Sequence, residues 1–599
     1  MDKINSPIII HSNTENINLE IDKINNKKKK FITQYPIVYI HTSSEKKNVK
    51  VYVGETNDYF QRTDQHIKSK DIDDIFNCKN NTSFIIGHEH FNKSLTMDIE
   101  TQLINYLFAC DVKLLNRKRN PQNMYYPFEE KNKIFRRMWK QLNNINSTIF
   151  KPERIIRNSA IFKASPQERL TKEQKEALEL ILEKYNNAKN NVEQKQFILV
   201  EGTAGTGKTV LLNSVFYSIY DSMYDQIIKK HQNAKSTIED LHNVVDESIT
   251  SSINCYFVVN NKEQRKIYDD IAKKYGINKK IIFSGTEFIN EMDRNNKKAD
   301  LVLVDEAHLL LTQGKQSYRG KNQLNDIRDR ANIVVAMFDK YQIISKEQVV
   351  EENQLDSLIQ EAKDSNNYLK LDKQLRMKNI NAQRWVDDFI KNEHISRIPN
   401  LDNYEIKIFE SPEDLHKAII DTTRKEVFSK TKKNIDEELS KIKNNLSRLV
   451  ATYDWEFSNR TPTNSNEWEV IIGDWSLPWN KQNKSKKNKS SWVENENTLN
   501  EVGSIYTVQG FDLNYVGVIL GDSVKYKDGK VVFDPSESKN VKLTSKRTTS
   551  DGTMKSYARE LKKNEVNILM TRGVKGLYIY ATDKQLRDAL LSAAKDKNE

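Results

Sequence analysis

A glycine-rich loop constrains the architecture of this chain more than any other stretch. Gln196-Phe197-Ile198-Leu199-Val200 is an apolar, β-rich run. It passes directly into Glu201-Gly202-Thr203-Ala204-Gly205-Thr206-Gly207-Lys208-Thr209 and then into a helical pattern. Three glycines within six residues stand out in a chain that has only 18 glycines in 599 residues. A G-x-x-x-x-G-K-T loop between strand and helix lets backbone N–H groups curl around phosphate oxygens, and the helix N-terminus adds positive potential. In that reading Gly202, Gly205 and Gly207 shape the cradle. Lys208 reaches the β and γ phosphates of ATP, and Thr209 holds Mg²⁺. A strand feeding a helix in this way belongs to a parallel sheet covered by helices.

A second run supports the same reading. Leu301-Val302-Leu303-Val304 is apolar and ends in Asp305-Glu306-Ala307-His308. Asp305, at a strand end, is expected to reach Mg²⁺ through water, and Glu306 to orient or activate an attacking water. Similar short runs without alternation fall at Cys255–Val259, Lys280–Phe283, Ile333–Phe338, Val470–Ile472, Tyr515–Leu520 and Gly576–Tyr580. They predict strands buried on both faces, hence an α/β fold. There is no internal repeat.

Composition narrows the class. No run approaches the ~18 apolar residues of a membrane-spanning helix. The Asn- and Lys-rich start lacks the apolar core of a secretory signal, so a cytoplasmic location and no membrane partner are expected. The cysteines, Cys78, Cys110 and Cys255, are too few and too far apart for a disulfide scaffold or a Cys-rich zinc site. Lys plus Arg is 95 against 83 Asp plus Glu, a net charge of +12. That excess suits a nucleic-acid partner and equally suits a Lys-biased sequence.

The first 120 residues read differently. Pro36–Ile40 and Val49–Gly54 are β-rich and are separated by a polar turn, which predicts a hairpin carrying Tyr39 and Tyr52. Glu55-Thr56-Asn57-Asp58 is a helix start, and the helix after it presents Arg62 and His66 on one face. A second helix near Thr96–Phe108 has an apolar stripe with Glu100 at its edge. An ionised carboxylate there is costly unless a metal ion or an arginine pairs with it. The set suits phosphodiester hydrolysis. A metal on Glu100 would polarise the phosphate, Arg62 would neutralise transition-state charge, and a tyrosine would orient or deprotonate water.

These residues resemble a GIY-YIG nuclease domain over about 80 residues. Ile37-Val38-Tyr39 stands for the first tripeptide, with Ile37 where the family has Gly, and Tyr52-Val53-Gly54 for the second. The resemblance implies catalytic roles for Tyr39, Tyr52, Arg62, His66, Glu100 (the metal ligand, for Mg²⁺ or Mn²⁺) and Asn116 in Leu114-Leu115-Asn116.

The remainder resembles a superfamily 1 helicase, nearest the Schlafen-type group, over roughly 400 residues. Leu170–Gln174 is similar to the adenine-reading motif, which makes Gln174 the base contact. Val258-Val259-Asn260 falls where a strand-tracking motif lies. Asp339 and Gln342 match the motif that senses the γ phosphate, with Phe338 where many helicases have Gly. Gln374-Leu375-Arg376 and Asn567–Gly573 match the motifs that bring Arg376 and the arginine finger Arg572 to ATP, and Gly503–Gly510 matches the motif between them.

The expected organisation follows the chain. Residues 1–30 form a disordered basic arm and 31–120 a small α+β nuclease domain. Residues 121–165 form a helical connector. The first RecA-like lobe occupies 166–365 and the second 366–585. A tail covers 586–599. Lys481–Ser491 reads as a mobile loop, and 524–560 as an insertion turning at Asp528-Gly529. Tyr453–Phe457, Trp475, Trp479 and Trp492 are expected as core aromatics.

Together these features predict an ATP-dependent nuclease–helicase acting on DNA or RNA, with DNA favoured. By analogy with such fusions its setting is bacterial defence against foreign nucleic acid. A non-translocating ATP switch for the nuclease, or a binding module with two degraded sites, are the alternatives. One nuclease site per chain means that double-strand cleavage needs a homo-oligomer or two sequential cuts.

Overall fold

The computed structural model describes residues 6–595 apart from 46–47, 70–71, 117–124, 160, 163–169, 191–194, 232–237, 278, 316–317, 378, 429–445, 459, 461, 463–466, 482–491 and 494. The chain divides into two units. The first comprises Met1–Arg169, Phe216–Ile253 and Asp270–Lys280. The second comprises Leu170–Val215, Asn254–Asp269 and Ile281–Glu599. Among the described residues no helix is long and apolar enough to cross a membrane.

The first unit is built on a mixed sheet of β1 (Ile8–Ser12), β2 (Ile37–Glu45), β3 (Asn48–Thr56), β4 (Asn81–Gly87) and β5 (Lys113–Leu114), in the order β1-β4-β2-β3-β5. Alternation along β2 sends Val38 and Ile40 to one face, where the helices Lys93–Phe108 and Lys131–Ile145 cover them. It sends Ile37 and Tyr39 to the other, against Ile17, Ile21, Ile32 and Tyr59.

The expected disordered arm is therefore corrected. Residues 8–33 supply an edge strand paired antiparallel to β4 and two helices, Ile17–Asp22 and Asn26–Thr33. The lysine run misled because Lys27 and Lys28 lie on the exposed side of a helix whose Ile32 is buried. Each buried isoleucine contributes ~1.5–3 kcal/mol. The expected connector is corrected too, since Ile134, Phe135, Met138, Trp139 and Leu142 belong to the core of this unit. The unit also takes two later segments. Tyr275 packs on Phe108 at 5.1 Å and on Tyr220 at 4.8 Å between ring centroids.

The second unit holds two all-parallel sheets, as the buried apolar runs require. The first contains β6 (Gln196–Gly202), β7 (Cys255–Val259), β8 (Ile282–Phe283), β9 (Ala299–Asp305), β10 (Ala331–Phe338) and β11 (Tyr368–Leu371), ordered β11-β6-β10-β9-β7-β8. β10 lies between β6 and β9, so the glycine loop, Asp305 and Asp339 emerge at neighbouring carboxyl ends, where open α/β sheets bind ligands.

The second sheet has β12 (Glu405–Ile408), β13 (Arg448–Ala451), β16 (Val502–Gly503), β17 (Leu513–Leu520) and β22 (Gly573–Ala581), in the order β12-β22-β17-β13-β16. Val470–Ile472 is not one of its strands. It belongs to β14 (Glu469–Ile472), which pairs only with β15 (Trp475–Pro478) as a separate hairpin.

The 524–560 insertion forms two hairpins, β18 (Val524–Lys527) with β19 (Lys530–Phe533) and β20 (Arg547–Thr548) with β21 (Met554–Lys555). The first turns at Asp528 and Gly529, both at positive φ, as a tight hairpin demands. Residues 584–595, of which 586–595 are expected as tail, form a helix that buries Leu586, Leu590 and Ala593. Tyr453, Trp475, Trp479 and Trp492 are buried. The expected Lys481–Ser491 loop lies outside the described residues except for Lys481.

Candidate active sites

In the first unit, Tyr39 and Tyr52 come from neighbouring strands and stack with ring centroids 6.2 Å apart. The Tyr39 hydroxyl lies 3.0 Å from His66 Nε2, and Arg62 Nε donates to the same hydroxyl at 3.4 Å. The phenol oxygen thus sits between the guanidinium of Arg62 and the imidazole of His66. Burial, reinforced by Tyr52, holds the Tyr39 phenol well above its ordinary pKa, so it is neutral and a donor. Gly54 faces the Tyr39 ring so closely that any Cβ there would overlap it.

Glu100 feels the charges of Glu55, Lys93 and Arg62, and burial together with Glu55 pushes its carboxyl up to about 8. A buried carboxylate held protonated in this way fits a divalent cation, which would restore the charged form. Among the described residues no group of three or more His, Cys, Asp or Glu could hold a metal ion, and Glu55 is the carboxylate whose charge acts on Glu100.

Asn116 does something other than touch this cluster. Its amide accepts from Val53 N at 2.9 Å and donates to Val53 O, which pins β3 next to Tyr52. Glu55 has no motif role in the sequence. It pairs with Lys93 Nζ at 2.6 Å and shapes the field at Glu100.

The second unit gathers the nucleotide residues. Gly205 and Gly207 sit at φ +82° and +80°, a region open to glycine. Lys208 Nζ donates to the carbonyls of Gly202 (2.7 Å) and Thr203 (3.0 Å) and lies 3.8 Å from Asp339. Thr209 Oγ1 donates to Asp305 Oδ2 at 3.1 Å, so the hydroxyl and carboxylate that would share a Mg²⁺ ion already converge. Phosphate-cradling glycines, an amine and this oxygen pair form a donor set that fits Mg²⁺–ATP.

Electrostatics there are strongly perturbed. Burial and the adjacent Glu306 push Asp305 up to about 6. Burial also opposes the Glu306 charge, but His308, Lys208, Arg572 and Arg376 outweigh it and hold Glu306 below its usual value. Glu306 adopts φ +50° and lies 3.1 Å from His308 Nε2. Arg572 is brought down to about 9 by burial and by Arg376. Its Nη2 donates to Gln342 Oε1 at 2.8 Å, and Gln342 Nε2 donates to Asp339 at 2.8 Å. A chain of contacts thus runs from the second lobe to Lys208. Arg376 pairs with Asp512 and keeps a buried Nη1 without a partner.

Other expected residues are placed less directly. Gln174 engages the glycine loop, donating to Thr206 O at 3.0 Å and accepting from Thr171 N at 2.9 Å. Asn260 is a structural pin, holding Gly285 N at 2.8 Å and Leu309 O at 2.9 Å. Phe338 fills the position beside His308, with ring centroids 6.2 Å apart. Tyr268 lies in no motif, yet its hydroxyl donates to Asp305 Oδ2 at 2.6 Å from a helix.

One unit holds two parallel-sheet lobes with a glycine loop of the phosphate-binding type, and the other a small mixed sheet with a Tyr–His–Arg–Glu cluster; these features define a hydrolase of the kind that acts on nucleic acid. The helicase-like lobes are RecA-like in build. Residues 195–583 match the family model "Schlafen group 3, DNA/RNA helicase domain", and residues 35–109 match the GIY-YIG catalytic domain. The chain belongs to the Schlafen group 3 helicase-domain family and carries a GIY-YIG nuclease domain ahead of it. It is 28% identical over 435 residues to an uncharacterized protein of Saccharomyces cerevisiae, covering 68% of this chain and 86% of the yeast protein. Among solved structures it aligns with the Pif1 helicase from Candida albicans at 12% identity, covering 71% of this chain and 97% of that one. The TM-score is 0.24.

Proposed function

We propose that this protein is an ATP-driven motor on nucleic acid, DNA in preference to RNA, coupled to a metal-dependent nuclease. The observation that carries the reading is the approach of Arg572 to Gln342, which is bonded in turn to Asp339 beside Lys208. An arginine from one lobe aimed at the phosphate loop of the other makes hydrolysis and lobe movement one event.

In this reading the loop amides and Lys208 hold the phosphates, and Thr209 with Asp305 would hold Mg²⁺. The bound cation would neutralise phosphate charge. Glu306 orients the attacking water and accepts its proton, its charge maintained by the surrounding cations. Arg572 and Arg376 spread the charge that develops on the transferring phosphoryl group.

At the nuclease site Glu100 would hold Mg²⁺ or Mn²⁺, which would polarise the phosphodiester. Arg62 neutralises charge on the phosphate. Tyr39 orients the attacking water, with His66 positioned to take the proton that Tyr39 relays. Tyr52 packs beside Tyr39, and Asn116 keeps β3 in place.

The test is cleavage of plasmid, linear duplex, single-stranded DNA and RNA with Mg²⁺ or Mn²⁺, with and without ATP. Glu100→Ala is expected to abolish cleavage and spare ATP hydrolysis. Lys208→Ala is expected to abolish hydrolysis with the fold intact. Cutting that survives Glu100→Ala, or turnover that survives Lys208→Ala, overturns the corresponding half. ATP consumption without strand displacement would favour the switch over the motor. The proposed setting is defence: cells with the wild-type chain restrict an incoming plasmid, and cells with Glu100→Ala do not.

A further inference from the structure

The insertion in the second lobe has no part in the scheme above, yet it reaches the first lobe through a buried arginine. Arg547, on β20, is a 4%-exposed side chain that reaches into the first lobe. Its Nη1 donates to Thr312 Oγ1 (3.0 Å), Lys346 O (3.1 Å) and Val349 O (2.6 Å), and its Nη2 lies 3.7 Å from Glu351. The turn of the same hairpin closes on Glu351, with Ser550 N donating at 2.9 Å and Ser550 Oγ at 2.5 Å. Lys346 Nζ returns a bond to Lys546 O at 3.1 Å.

A guanidinium whose Nη1 is held by one hydroxyl and two carbonyls, with its Nη2 turned toward a carboxylate, is a rigid joint. Its planar donors fix direction as well as distance, and its burial makes each lost bond costly. The two ends of the joint are placed where they bear on the nucleotide cleft. The receiving segment, Lys346–Glu351, begins four residues after Gln342. The hairpin β20–β21 runs into the helix Ala558–Met570, which ends two residues before Arg572. Midway along that helix Asn564 Nδ2 donates to Ile343 O (3.0 Å) and Lys340 O (3.3 Å). Both anchors therefore clamp the segment that follows Gln342 against the helix that leads to Arg572.

We propose that the β20–β21 hairpin is a clasp that sets the spacing of the lobes, and that Arg547 is a positioning residue for Arg572 in ATP hydrolysis. The proposal rests on the nucleotide-cleft reading above. Arg547 touches neither nucleotide nor metal in this scheme. It acts through the Arg572–Gln342 contact, and loss of the fork lets Arg572 withdraw from the phosphoryl group. The same clasp limits how far the lobes separate in each cycle.

The experiment uses the full chain as wild type, Arg547→Ala, Arg547→Lys, Ser550→Ala and Lys208→Ala. Three quantities are measured: steady-state ATPase kcat, affinity for a fluorescent ATP analogue, and hydrogen exchange across residues 339–351. Arg547→Ala is expected to lower kcat by about tenfold to a hundredfold, the cost of an ångström-scale displacement of a catalytic group. Affinity should hold, because the phosphate loop lies within one lobe, and exchange over 339–351 should rise. Arg547→Lys keeps the charge but not the fork and should follow Arg547→Ala. Ser550→Ala should fall between them and wild type.

Wild-type kcat in Arg547→Ala overturns the proposal. So does faster exchange with unchanged kcat, or full rescue by lysine. A fall in kcat and affinity together with an early thermal transition would mean that the residue only stabilises the fold. If the wild type neither binds nor hydrolyses ATP and matches Lys208→Ala, the cleft reading itself fails, and the proposal falls with it.

Discussion

Lys562 is fully buried on the helix that leads to Arg572, and Lys562→Met should reveal how much that helix depends on one charge. Lys562 Nζ lies 3.0 Å from Asp454 and 2.7 Å from Glu565, whose side chains are 4% and 1% exposed. Asp454 also accepts from Thr452 Oγ1 and from the backbone and hydroxyl of Ser523, and Glu565 accepts from Tyr453 N. Those bonds hold the carboxylates in place when the lysine is gone. A methionine fills the stem volume and leaves two carboxylates with no cation, a change that costs about 3–5 kcal/mol. In a lobe of this size that lowers the melting midpoint by roughly 6–20 °C.

Tryptophan fluorescence reads the right part of the molecule. Trp385, Trp455, Trp468, Trp475, Trp479 and Trp492 all lie in the second lobe, and Trp139 alone lies outside it. The pH dependence has a definite sign. Burial already raises Glu565 above its ordinary value, with Lys562 opposing the rise. Without Lys562 the folded-state pKa rises further, so the neutral carboxyl is favoured. The deficit should be largest at neutral and alkaline pH and should shrink as pH falls through the raised pKa. Adding Glu565→Gln should recover part of the loss at pH 7. A Lys562→Met protein as stable as wild type at pH 7, with no dependence on pH, would refute the reasoning.

Three further outcomes are expected. Gly54→Ala forces the Tyr39 ring aside and should abolish cleavage while ATP turnover is unchanged; a nuclease assay on the variant settles it. Asn116→Ala removes two bonds to Val53 and should cost about 1–3 kcal/mol together with a drop in cleavage rate, read by thermal unfolding and nuclease assay. Arg572→Lys keeps the charge without the fork and should lower ATPase kcat by about 10³-fold with nucleotide affinity retained; near-normal turnover would remove Arg572 from the role of finger.

What could be read from the sequence was what is local. The glycine loop, the Asp305-Glu306 strand end and the Tyr39–Gly54 hairpin are each encoded within a dozen residues, and each sits where its pattern implied. The contacts that tune those groups span long separations and left no local mark. Tyr268 reaches Asp305 across 37 residues, and Arg376 reaches Asp512 across 136. The N-terminal segment was misread because a lysine run outweighed three isoleucines at helical spacing, and only β4 gives that segment something to pair with. Asn116 was assigned to chemistry because the resemblance supplies a role. Its actual partners are backbone atoms of β3.

The partition of the chain has a consequence for how this protein can be taken apart. Its backbone crosses between the two units five times, because Phe216–Ile253 and Asp270–Lys280 belong with the N-terminal residues. A fragment ending at residue 169 would lose the ring of Tyr275 from Phe108 and the ammonium of Lys274 from the carbonyl of Cys110. The remaining fragment would carry those same residues without their cover. The two units are therefore braided along one thread, and no single scissor cut along the sequence yields two finished pieces.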